Sequence, residues 1–131
     1  MHQSDLSNAE RPMSRRLFRA LTWMLIALIL VLSVVPPSLR PVTGVRHSLE
    51  HFAIFALCGF CFGLGYSIRL STQAIGLATF ATVVEALQLL VPGRHARLID
   101  LVVDSLASVA GVLIAWLLVR HRVFNRASRN R

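Results

Sequence analysis

Residues 82–104 read TVVEALQLLVPGRHARLIDLVVD, Thr82 to Asp104. Two apolar runs are joined by a short link, Pro92-Gly93-Arg94-His95-Ala96-Arg97. Proline ends one helix and glycine permits the turn, so the stretch predicts a helical hairpin. Its apolar runs also carry Glu85, Gln88, Asp100 and Asp104. A carboxylate at membrane depth costs several kcal/mol unless it is paired, hydrated or protonated. Both runs therefore have the character of membrane helices that retain a polar site.

The rest of the chain agrees. Only 15% of its 131 residues are charged and 55% are hydrophobic. A soluble domain is about a quarter charged. Spans need about 20 mostly apolar residues, and four segments qualify: 17–35, 48–66, 72–91 and 98–119. The expected fold is all-α, an integral membrane four-helix antiparallel bundle. Residues 1–16 form an expected disordered basic tail, 17–120 the membrane domain, and 121–131 a second basic tail.

Charge sets the expected orientation. The net charge is +8, and every basic residue other than histidine is arginine. Arg11, Arg15, Arg16 and Arg19 lie at one end; Arg120, Arg122, Arg126, Arg129 and Arg131 lie at the other. Arginines flanking an even number of spans put both termini in the cytoplasm, next to anionic lipid. The expected location is the bacterial inner membrane, crossed several times. Nucleic acid is not expected, because no groove-reading motif or aromatic interleaving accompanies the arginines. Ser14-Arg15-Arg16-Leu17-Phe18-Arg19 is similar to a twin-arginine export signal. No small-residue cleavage site follows, so the first span reads as an uncleaved anchor. Cys58 and Cys61 form a C-x-x-C inside an apolar helix, where thiols pack as small hydrophobes.

This orientation gathers the polar residues at one leaflet. His47, Glu50 and His51 open the second span, Glu85 and Gln88 close the third, and Asp100 and Asp104 open the fourth. Thr82 lies one turn before Glu85, and Ser108 continues the Asp100–Asp104 stripe. Polar stripes on neighbouring helices should face one another, since lipid cannot satisfy them. Plainer roles exist for some: His51 at the headgroup interface, Asp100 as a helix cap, Arg97 on a lipid phosphate. Gly59-x-x-x-Gly63 and Ala107-x-x-x-Gly111-x-x-x-Ala115 offer small-residue faces for close helix approach.

His51-Phe52, Glu85-x-x-Gln88, Pro92-Gly93-Arg94 and Asp100-x-x-x-Asp104 with Gly111 resemble, in that order, the VanZ-like family of small bacterial membrane proteins. The resemblance covers residues 46–118. The family pattern has an aspartate where this chain has His47, an asparagine where it has Asp104, and a glycine near Ala107. The resemblance implies a fold and a shared polar site more than a reaction. The family takes its name from a member linked to resistance to the glycopeptide teicoplanin.

Three functions are compatible. In the first, His51, Glu85, Gln88, Arg94, Arg97, Asp100 and Asp104 bind an anionic headgroup of a lipid or cell-wall precursor, the arginines meeting phosphate or carboxylate. In the second, His51, Glu85, Asp100 and Asp104 are candidate catalytic groups of a membrane enzyme, His51 acting as general base. No serine-centred nucleophile motif, phosphate-cradling loop or H-E-x-x-H is present. A metal-assisted version would use the histidine and carboxylates on a divalent ion, but their spacing is not diagnostic, and no metal or cofactor is expected. In the third, Glu85 serves a small proton-coupled transporter assembled as a homo-oligomer. Clustering at one leaflet instead of the midplane argues against that.

Overall fold

Tyr66, Ser67, Ile68 and Arg69 make a tight turn between two helices, and the side chain of Gln73 holds it. Gln73 Nε2 donates to the Tyr66 carbonyl at 2.9 Å and to the Ile68 carbonyl at 3.2 Å. The flanking helices are therefore antiparallel. The computed structural model describes residues 3–35, 47–91 and 98–129. It is all-helical: α1 is Gln3–Val34, α2 is His47–Gly65, α3 is Leu70–Gln88 and α4 is Leu98–Arg129. The links 36–46 and 92–97 and the extreme ends lie outside the described residues.

Three helical stretches are long and apolar enough to cross a membrane: Ser14–Val34, Leu70–Gln88 and Leu98–Arg122. The second helix carries a shorter apolar stretch, Leu49–Gly65. Large apolar side chains cover the exterior; Leu90 is 77% exposed and Leu98 82%. A surface of this kind would aggregate in water, and it points to a membrane protein.

Helix α1 begins at Gln3, within the stretch expected to be a disordered tail, and α4 continues through the basic tail to Arg129. Extending an existing helix costs little.

Helices adjacent in sequence are antiparallel, yet the most extensive contact is between α2 and α4, which run parallel. Their pairing starts at His51 with Asp104 and continues to Gly63 with Ala115. The other partnerships are α1 with α2, α3 with α4 and α1 with α3, and α2 meets α3 only slightly, across the bundle. Going round the bundle, the order is therefore α1, α2, α4, α3. Among the described residues the backbones of α1 and α4 stay more than 8 Å apart.

Glycine makes the parallel contact possible. A Cβ on Gly59 would collide with the Ser108 carbonyl oxygen, and one on Gly111 with the Ala56 carbonyl oxygen. Backbones this close need small residues on both faces. Cys58 and Cys61 are free, buried in the same core with Phe55, Ala107 and Val112. On α1, Thr22, Leu25, Ile29 and Ser33 form the buried stripe at helical spacing.

Candidate functional site

Parallel packing of α2 on α4 puts the openings of both helices at one end of the bundle. There His51 Nδ1 lies 3.2 Å from Asp104 Oδ2. The His51 side chain is 13% exposed and that of Asp104 2%. His51 also stacks on Phe55, ring centroids 6.1 Å apart, and Phe55 meets Phe80 of α3 at 6.0 Å. An aromatic column thus seals the inner side of the pair.

Asp104 is held from its own helix too. Ser108 is fully buried and donates to the Asp104 carbonyl at 2.8 Å. That bond satisfies a hydroxyl in an apolar setting without using the carboxylate. Asp104 Oδ1 is buried and has no hydrogen-bond partner among the described residues. Asp100, one turn earlier, is half-buried in the first turn of α4.

Helix α3 contributes Glu85 and Gln88, both buried, on the face that meets α4 and α1. They stand in the last turn of a helix antiparallel to α4, hence at the same end as Asp104. Gln88 Nε2 is buried without a hydrogen-bond partner among the described residues. The chain leaves α3 through backbone bonds from Leu89, Leu90 and Val91 to carbonyls of the last turn, including that of Gln88. Thr82 departs from expectation: it is exposed, and its hydroxyl returns to the Ala78 carbonyl. The buried stripe of α3 runs instead through Ala81, Val84, Glu85 and Gln88.

Of the expected site residues, His51 and Asp104 are joined directly, with Glu85, Gln88 and Asp100 at the same end. Glu50 is half-buried in the first turn of α2. Arg94, His95 and Arg97, and the side chain of His47, lie outside the described residues. Ser33 joins this end from α1 and is not among the expected site residues; it is buried and donates to the Ile29 carbonyl at 2.7 Å. Its signal was present in sequence, since it continues the spacing of Thr22, Leu25 and Ile29.

No protein-family model, no curated protein and no solved structure matches this chain. Among the described residues, no group of three or more histidine, cysteine or acidic side chains is placed to hold a metal ion. The arrangement supplies one imidazole held by a buried carboxylate, plus a second carboxylate and an amide on the facing helix. Such a set can bind polar groups with defined geometry or orient an imidazole for proton transfer.

Proposed function

We propose that this protein is a VanZ-like multi-pass protein of the bacterial inner membrane with both termini cytoplasmic. Its polar end faces the outer leaflet and binds the anionic headgroup of a lipid-linked or cell-wall intermediate. The observation that carries this reading is the His51–Asp104 bond across two parallel helices, with Gln88 and Glu85 buried at the same end. Burying this many polar groups in an apolar bundle is costly, and a binding role explains their retention. Arg94 and Arg97 meet the anion, while Glu85 and Asp104 orient Arg94 and His51.

The test uses purified protein and an isoprenyl diphosphate in detergent micelles. Arg94→Ala should weaken binding at least about tenfold, the loss of one charge-assisted contact, without altering the melting temperature. Unchanged binding in Arg94→Ala defeats the proposal.

A second reading is favoured by the same bond. Asp104 fixes the ring of His51, the relation that lets a histidine act as general base. Release of inorganic phosphate from the same diphosphate, abolished by His51→Gln, would promote this reading over binding alone. Absence of turnover with binding intact would exclude it for this substrate.

A further inference from the structure

The arginine-rich end of the bundle carries a separate feature. The backbones of α1 and α4 flank α2 more than 8 Å apart among the described residues, and a groove runs between them over α2. Its volume is about 350 Å³. Phe60 and Leu64 form the floor; Phe18 of α1 and Leu118 and Val119 of α4 form the walls. Ser14, Arg15 and Arg122 complete the lining.

Charge separates this end from the other. The four carboxylates whose side chains are described, Glu50, Glu85, Asp100 and Asp104, all belong to the opposite end. Arg19 is engaged, its Nε donating to the Gly65 carbonyl at 2.9 Å and its guanidinium lying 5.0 Å over the Tyr66 ring. Arg120 lies 5.1 Å over Trp116. Arg15 and Arg122 instead border the groove, one from each flanking helix. Arg15 also borders the adjoining cavity of about 180 Å³ beside Tyr66 and Trp116. An apolar channel ending between two guanidinium groups is complementary to one type of molecule, an acyl chain that ends in phosphate.

We propose that this groove is a specific site for an anionic phospholipid of the adjacent leaflet. One acyl chain lies along Phe60 and Leu64, and the phosphate sits between Arg15 and Arg122. The site is independent of the polar end and does not need that end to bind anything.

Native mass spectrometry of the full chain would test this in micelles holding equal phosphatidylglycerol and phosphatidylcholine of identical chains. Phosphatidylglycerol should be retained preferentially. The double variant Arg15→Gln/Arg122→Gln should lose that preference, binding roughly 30-fold more weakly, the effect of two surface arginines. Leu64→Trp, which fills the floor with both arginines intact, should also displace the lipid. Equal retention of the two lipids by the native chain overturns the proposal, as does persistence of the preference in the double variant. Inorganic phosphate is the control probe: if it binds with the same dependence on Arg15 and Arg122 and expels phosphatidylglycerol, the site is one for small anions and the lipid assignment fails. Both arginines are exposed, so the double variant should melt with the native chain.

Discussion

His51 Nδ1 and Asp104 Oδ2, 3.2 Å apart, tie the start of α2 to the start of α4 although 53 positions separate them in sequence. This bond couples two helices that run in the same direction, and it sits above the glycine contacts that bring their backbones together. It should contribute to stability as well as to the site. In a cycle of His51→Ala, Asp104→Ala and the double variant, thermal or denaturant unfolding in detergent should give a coupling of about 0.5–2 kcal/mol. Additive losses would show that the pair does not interact.

Gln88 buries an amide nitrogen without a hydrogen-bond partner among the described residues. Burial of a polar group in this state is unfavourable by about 1–3 kcal/mol. Gln88→Leu should therefore unfold at a temperature equal to or above that of the native protein while isoprenyl diphosphate binding weakens. A destabilised variant would mean that the amide is satisfied, and its role in the site would need revision.

Gly111 has no room for a side chain, because a Cβ would meet the Ala56 carbonyl and lie 2.7 Å from the Phe60 nitrogen. Overpacking of this sort costs about 1–3 kcal/mol, and more where backbone must move. Gly111→Leu should lower the unfolding midpoint sharply. Gly76 offers the contrast, with nothing within 4 Å of an added Cβ. Gly76→Ala should be neutral or stabilising by up to about 1 kcal/mol, since alanine is the better helix former. Equal effects at the two sites would contradict the α2–α4 packing.

Cys58 and Cys61 are free and buried, with 0% and 4% of their surface exposed. A maleimide should modify them slowly in the folded protein and rapidly after denaturation, since access limits thiol reactivity here. Rapid labelling of the native protein would place them at a surface and reopen the redox reading of the C-x-x-C.

The turn at Tyr66 gives a measure of the opposite end. Trp23 Nε1 donates to the Tyr66 hydroxyl at 3.0 Å, and Phe62 packs on the same ring at 4.8 Å. Tyr66→Phe keeps the ring and removes the acceptor. It should cost no more than about 0.5–1.5 kcal/mol, the net value of one ordinary hydrogen bond. A change in Trp23 emission would report the lost bond directly.

Helix content and the polar end were legible in the chain itself, through apolar runs of fixed length, their proline punctuation, and the placement of carboxylates at the start or finish of each run. The glycine and alanine pattern also announced a close helix contact, because only small residues permit one. Hydropathy carried no comparable sign of where α1 and α4 end, since helix propagation continues beyond the apolar segment. Nor could linear spacing give Thr82 its outward direction, because a three-residue and a four-residue step both remain near one face.

The order of helices around the bundle was decided by tertiary structure alone. Sequence connectivity makes adjacent helices antiparallel but leaves open which of them share a wall. Packing of Gly59 and Gly111 against opposing backbone chose α2 with α4, and that choice joined His51 to Asp104 and left the groove between α1 and α4. Side chains distant in the chain meet only when backbones approach closely enough, and close approach depends on shape on both helices at once.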